Sequence, residues 1–357
     1  MRFHVVGLPH TQTTWEYQAC AFTAKVINFC KMMTGLGHEV MLYSGNRNEA
    51  PCAEHVKCFS EAERKDACGG GHFSQAKFNG KDKHWQVFNF RVAAEIMARW
   101  QERDIICIIG GNAQTDLRAY VDKRLFVEFG IGYAGSFAEF RVFESYAWMH
   151  TTYGAMGGSN PGAARGDRWF DAVVPGYFEI EKFPMGPPMA ERDDYFFFIG
   201  RLGVGKGEHE AAQACRHIGA RLVVAGHGTP PPGTEHVGVI GAKRRGELMA
   251  NAQAVFVPTI YIEPFGNVAV EAQACGTPVI TTDWGAMTET VEEGVSGFHC
   301  RSLAEFVAAT EAVKSLDPVA IRARAHRLYS LETIALKYER YFQRLMLLWD
   351  DRGWGAV

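Results

Sequence analysis

Residues Val255–Glu271 read VFVPTIYIEPFGNVAVE, and this stretch decides the fold of the 357-residue chain. Ala254-Val255-Phe256-Val257 is an apolar run ended by Pro258, the pattern of a short strand buried on both faces. Glu263-Pro264-Phe265-Gly266 turns the chain, and Val268, Ala269, Ala272 and Ala274 continue without a breaker to Gly276, which predicts a helix from Gly266. A helix that starts just beyond a buried strand leaves free N–H groups, here on Gly266, Asn267 and Val268, with the positive end of the helix dipole behind them. Such a place suits a phosphate. Glu263 and Glu271 flank it eight positions apart. Carboxylates repel phosphate but accept hydrogen bonds from hydroxyls, so the pair predicts a phosphate with a sugar on each side.

Two cations in the same half fit this site. Arg201 follows the strand Tyr195–Gly200 in a glycine-punctuated loop, and Lys206 stands five residues on. Beside an anion-binding helix start they would neutralise a diphosphate and the charge that grows on it as a sugar leaves. The bland alternative is a solvated loop with ordinary surface charges.

With its neighbours, the stretch resembles the E-x7-E signature of retaining glycosyltransferases of family 4, which have the GT-B fold. Three further pieces match in order: Phe198-Ile199-Gly200-Arg201-Leu202 with Lys206-Gly207, Val223–Gly228, and Cys275–Thr282. The resemblance is strong from about Tyr195 to Phe298 and weak before Asp171. It implies an α/β protein of two Rossmann-like α/β/α domains facing across a cleft, with the C-terminal helix crossing back to the first. The expected boundaries are an acceptor domain at 1–184, a nucleotide-sugar donor domain at 185–330 and the returning helix at 331–357. It also implies roles: Glu271 on the ribose hydroxyls, Glu263 near the donor sugar or its phosphates, and His227-Gly228 with Ile240-Gly241 lining the base pocket.

Size and composition agree. A chain of this length predicts two domains, each with its own core. Apolar residues at 47% and charged residues at 22% are ordinary for a soluble protein, and a net charge of -3 argues against a general polyanion binder. No run of 18 apolar residues occurs, which predicts no spanning helix, and the N-terminus enters a strand directly, so neither an anchor nor a cleaved signal is expected. The nine cysteines lack paired C-x-x-C spacing, and Cys20, Cys30, Cys107, Cys215 and Cys275 fall in apolar segments as core thiols. The expected compartment is the cytoplasm.

The first half reads as strand Arg2–Gly7, helix Gln18–Leu36 and strand Glu39–Tyr43, a βαβ unit and hence a parallel sheet. Residues 46–84, with Gly69-Gly70-Gly71, show no clear period and predict an insertion or flap. His55, Cys58, Cys68 and His72 within it have spacings that fit no closed zinc site well. A helix over Phe88–Arg103, strands Asp104–Ile109, Leu125–Phe129 and Asp171–Pro175, and a glycine-rich loop Gly154–Gly166 without GK[ST] follow. In the second half strands are expected at Tyr195–Gly200, Arg221–Ala225, Val237–Ile240, Ala254–Val257 and Pro278–Thr281.

The first domain should supply the acceptor site and one polar group near the reacting carbon. Candidates are Glu128, His150 and His10, each with the alternative of a structural hydrogen-bonding role. Relatives carry a Gly-Gly pair in the first loop, where this chain has Pro9-His10-Thr11. Trp15, Tyr133, Phe137, Phe140 and Trp148 can stack on a sugar, an aromatic aglycone or an extruded base, or simply pack the core. Arg118, Lys123, Arg124 and Arg141 add a second acceptor reading, a modified base in DNA. No D-x-D occurs, so the cations and the helix start are expected to carry the diphosphate without a metal or other cofactor.

The function these residues imply is a metal-independent retaining hexosyltransferase. It would use a nucleotide-diphosphate sugar, with UDP-sugar as the expected donor, and an acceptor that is a saccharide, a small molecule or a DNA base. The rivals are a nucleotide-sugar 2-epimerase, a non-catalytic nucleotide-sugar binder and a dehydrogenase. The last is disfavoured because no G-x-G-x-x-G follows either domain's first strand.

Overall fold

The computed structural model describes residues 1–352 except 77, 122–123, 158–168 and 204. Two compact units make up the chain. One holds Met1–Glu144, Thr152–Tyr177 and the C-terminal helix, and the other Ser145–Thr151 and Phe178–Ser330.

Seven parallel strands form the sheet of the first unit: β1 (Arg2–Val6), β2 (Glu39–Gly45), β3 (Glu54–Phe59), β4 (Ile105–Ile108), β5 (Leu125–Ile131), β6 (Phe140–Phe143) and β7 (Ala172–Val173). Their order is β3-β2-β1-β4-β5-β6-β7. Alternate residues serve opposite faces, as a period of two requires. Val40, Leu42, Ile105, Cys107, Leu125 and Val127 join one core, while Met41, Tyr43, Ile106, Ile108 and Phe126 join the other. Helix α1 (Ala21–Gly35) covers the first face together with the long C-terminal helix Leu331–Arg352, whose Ile334, Tyr338, Phe342 and Leu345 are fully buried at helical spacing. Each such side chain contributes roughly 1.5–3 kcal/mol by leaving water.

The second unit repeats the plan with six parallel strands: β8 (Tyr195–Ile199), β9 (Arg221–Ala225), β10 (Glu235–His236), β11 (Val255–Val257), β12 (Val279–Thr282) and β13 (Gly297–Cys300). Their order is β10-β9-β8-β11-β12-β13. Phe197, Val223, Val255 and Val279 face one core, and Phe196, Val224, Phe256 and Ile280 the other.

Several expectations need correction. Residues 46–84 are not a structureless flap: β3 pairs with β2, and a helix spans Glu61–Ala67. That helix starts on a capping box, with Ser60 accepting from Glu63 N–H and Glu63 accepting from Ser60 N–H. His55 Nε2 lies 2.9 Å from Gly45 O and 3.0 Å from Ser44 Oγ. The helix expected from Phe88 begins at Lys83, capped by Asp82. Val237–Ile240 is not a strand; the strand beside β9 is Glu235–His236. Besides β3, two further strands were missed, β6 and β13. Gly154 lies in a helix, Tyr146–Gly157, rather than in a loop, and most of the glycine-rich stretch after it falls outside the described residues. Cys20, Cys30, Cys107, Cys215 and Cys275 are buried free thiols. Among the described residues no helix is long and apolar enough to cross a membrane.

Candidate functional site

Beyond β11 the chain reaches helix α8 (Asn267–Ala274) through Gly266, its N-cap, which has φ +83°. A side chain disfavours that conformation, and a Cβ there would overlap the Met287 methyl group. Glycine is required twice over. The first helical bond runs from Ala269 N–H to Gly266 O at 2.9 Å, and the N–H groups of Gly266, Asn267 and Val268 have no acceptor among the described residues. The helix is held rigidly behind this opening. Gln273, fully buried, donates to Ala269 O and Thr290 O and accepts from Arg324 at 2.8 Å.

Charge gathers at the same mouth. Lys206 Nζ lies 2.7 Å from Glu263 Oε2 and 4.7 Å from the centroid of the Tyr261 ring, and the Tyr261 hydroxyl donates to the same carboxylate oxygen at 2.8 Å. Ala286 N–H to Glu263 O and Ile260 N–H to Gly205 O tie the contributing loops together. Gly207 also has positive φ, and a Cβ on it would strike Pro258 O, so the Lys206 loop approaches the end of β11 as closely as backbone allows. Arg201 is exposed and has no ion-pair partner among the described residues. Burial and the Glu263 carboxylate raise the Tyr261 hydroxyl above its ordinary value, and the Arg201 charge opposes them.

One turn into α8, Glu271 is 7% exposed. Its Oε1 forms an ion pair with Arg245 Nη2 at 3.1 Å, while Oε2 is buried and has no partner among the described residues. Desolvation raises its pKa, and the Arg245 charge partly offsets this. His227 is exposed, with its carbonyl accepting from Leu202 N–H at 2.9 Å. Ile240 packs partly buried against the core shared by β8, β9 and β11. Thus the second unit brings Lys206, Glu263 and the Gly266 opening together, with Glu271 on the same helix.

The acceptor-side candidates are placed differently: Glu128, His10, Trp15 and Tyr133 lie in the first unit and His150 in the second. Glu128, on β5 and fully buried, accepts from Tyr133 Oη at 2.9 Å, Phe137 N–H at 2.9 Å and Ala138 N–H at 3.2 Å. Both oxygens are engaged, and Tyr133 is its partner. Burial raises its pKa and these bonds oppose the rise. His10 is 3% exposed, with the Phe78 ring 4.9 Å away and Trp85 at 6.1 Å. Desolvation, with a smaller push from Arg64, lowers its pKa to about 4, so the imidazole is neutral at pH 7. The Trp15 ring lies under Lys31 Nζ at 4.3 Å. His150 is exposed on the helix Tyr146–Gly157, 6.1 Å from the Tyr146 ring, and the start of that helix donates from Tyr146 and Ala147 N–H to Glu289.

The arginines do not support the DNA-base reading of the acceptor. Arg141 is fully buried in an ion pair with Asp171, Arg118 pairs with Glu139 at 2.7 Å, and Arg124 lies 5.0 Å from the Trp100 ring. Lys123 lies outside the described residues. Arg141, at 0% exposure within its pair, has no charge to offer a phosphate. Sequence reasoning missed Tyr261, Arg245 and Arg324. Tyr261, two residues before Glu263, was the one within reach of a local signal; the other two meet α8 only through tertiary packing.

Against known proteins, residues 179–317 match the model of the family glycosyl transferases group 1. A glycogen synthase of Mycobacterium tuberculosis is 35% identical over 36% of this chain and 35% of its own length. The chain therefore spans about a third of the length of the curated relatives it matches. The fold is that of GT-B glycosyltransferases. AviGT4, a glycosyltransferase involved in avilamycin A biosynthesis, superposes with a TM-score of 0.65 at 20% identity, over 97% of this chain and 98% of its own. HepE of Anabaena, solved with UDP and glucose, gives 0.61 at 15% identity over 96% and 100%.

Proposed function

We propose that this chain is a retaining glycosyltransferase that moves a hexosyl group from a nucleotide-diphosphate sugar, with a UDP-sugar as the expected donor, to an acceptor hydroxyl. The diphosphate would lie on the free N–H groups of Gly266, Asn267 and Val268, between Lys206 and Arg201. Glu263 would face the sugar and Glu271 the ribose, with Ile240 and His227 beside the base. The observation that carries this reading is the unpartnered Oε2 of Glu271, a buried acceptor on the helix whose opening is itself unfilled. The match to group 1 transferases and a fold neighbour solved with UDP and glucose support it; the epimerase reading has no such support.

In the reaction the bond from the anomeric carbon to the phosphate oxygen breaks and a bond to the acceptor oxygen forms on the same face, the acceptor proton passing to the departing phosphate. The N–H groups and the two cations act on charge that is larger in the transition state than before it, so they lower the barrier rather than only the KM. They can do so without a metal. His150, the exposed candidate, would be the acceptor-side group, and His10, Trp15 and Tyr133 would serve the acceptor. The saturated carboxylate of Glu128 suits it better to hold the Tyr133–Ala138 loop than to meet substrate.

A thermal-shift screen of UDP-, GDP- and ADP-sugars in the presence of a chelator tests the reading. One nucleotide diphosphate is expected to raise the Tm, and Glu271→Ala to weaken its binding about 100-fold, the order of a lost charged hydrogen bond. No response to any of the three, with or without added divalent metal, would overturn it.

A further inference from the structure

The Arg245–Glu271 pair is built in an unexpected way. A guanidinium and a carboxylate commonly meet through two parallel N–H···O contacts, and Nε with Nη2 forms one edge that can do so. Here Nη2 faces Oε1 at 3.1 Å, yet Arg245 Nε and Glu271 Oε2 are both buried and both lack a partner among the described residues. A donor and an acceptor that could satisfy one another are left apart.

Packing explains why the side chains do not simply close up. Helix α7 (Ala242–Asn251) lies against α8 through Gly246, where a Cβ would press on Pro184 Cδ, and the Cys275 thiol reaches Gly246 O at 3.8 Å. Arg245 precedes that glycine, and Glu271 lies one helical turn before that cysteine. Their backbones are therefore fixed by the contact between the two helices, and the carboxylate is held in a 7% exposed position. Arg245, by contrast, keeps a third of its side chain in solvent and can pivot to admit a group. Its neighbour Arg244 turns instead to Glu247, so Arg245 is the cation that this part of α7 directs at Glu271.

A hydroxyl can bridge the two, accepting from Nε–H and donating to Oε2. We propose that Arg245 is a specificity-determining residue for the nucleoside: its Nε–H and the free Oε2 of Glu271 together hold one ribose hydroxyl, the first donating to its oxygen and the second accepting its hydrogen. This deepens the nucleotide-sugar reading and rests on it. The consequence is selectivity for ribonucleotides. A deoxyribose at that position leaves both buried groups unpaired, which a site made for a hydroxyl penalises strongly.

Calorimetry with UDP, GDP and ADP, and with the 2′-deoxy and 3′-deoxy forms of the diphosphate that binds, tests this on the full chain. Wild type is expected to bind at least one deoxy form tenfold or more weakly than the ribonucleotide. Arg245→Lys keeps the positive charge beside Glu271 but has no Nε–H, and should shrink that ratio to threefold or less while its Tm stays within about 2 °C of wild type. Arg245→Leu should shrink it likewise. A wild type that does not discriminate, or a ratio unchanged in both variants, overturns the role of Arg245 while the nucleotide-sugar reading stands. If wild type binds none of the three diphosphates, it is the reading of the site that fails.

Discussion

Two glutamates, one in each unit, sit in nearly the same physical situation and do different work. Glu128 and Glu271 are both buried, and in both burial raises the pKa. Neither burial nor titration tells them apart. What separates them is saturation. Glu128 receives three donors from the loop it anchors, whereas Glu271 has one cation on one oxygen and nothing on the other. The first is finished by the fold; the second is left for something to complete. The contrast extends to the surroundings. His10 is walled in by aromatic rings in the first unit, while the Gly266 opening of the second has three N–H groups without acceptors among the described residues and Lys206 still partly in solvent.

If saturation is the distinction, removing Glu128 should damage stability far more than ligand binding. Glu128→Ala would strand the Phe137 and Ala138 N–H groups and the Tyr133 hydroxyl in a dry site, at about 1–3 kcal/mol for each group left unmet and about 4 kcal/mol in all. The Tm of the first unit should fall on the order of 10 °C, read by calorimetry, with nucleotide affinity little changed. A stable Glu128→Ala protein that had lost transfer activity would make Glu128 a participant in the chemistry and break the comparison.

His10 gives the next effect, through pH. Its folded pKa of about 4 lies below the ordinary 6.5, so between these values the unfolded chain takes up a proton that the folded protein does not. Stability is then fully present above about pH 6.5 and falls as pH drops toward 4, by about 3 kcal/mol from this residue. His4 is shifted in the same direction by burial and adds to the slope. Urea melts from pH 7.5 to 4 should show the decline, and His10→Leu should flatten it. An unchanged slope would mean that the aromatic wall around His10 opens in solution.

The smallest change in the free protein should come from Lys206→Met. The Lys206–Glu263 pair is partly exposed and stabilises the fold by at most about 1 kcal/mol. Diphosphate affinity, however, should fall about 30-fold, the loss of one charge-assisted contact. Equal effects on Tm and affinity would remove the contrast between a structural first unit and a poised second.

Much of the second unit was legible because its constraints are local. Ala254–Val257 is apolar on both faces and ends at a proline, and Gly266 is followed by a run with helical spacing; both features follow from backbone geometry that short peptides already express. β13 was missed because Gly297-Phe298-His299-Cys300 is short and mixed, and it becomes a strand only by pairing with β12. β6 was missed for a related reason: its Arg141 reads as a solvent-facing charge, and only Asp171, thirty residues on, makes its burial possible. The 46–84 segment did carry a usable sign, the Ser60–Glu63 capping box, but β3 beside it depends on an edge of β2.

By itself, then, the amino-acid order determined the alternation of strands and helices, the glycine at the opening of α8, and the presence of Lys206 and Glu263 close to it. These are short-range matters of dihedral freedom, periodicity and charge. Only the tertiary structure decided which of two buried glutamates would be satisfied and which left open. That outcome depends on donors brought in from Tyr133 and the Phe137–Ala138 backbone in one case, and on an arginine from a neighbouring helix that meets only one carboxylate oxygen in the other. Hydrogen-bond satisfaction is a property of neighbours in space, and neighbours in space are what folding supplies.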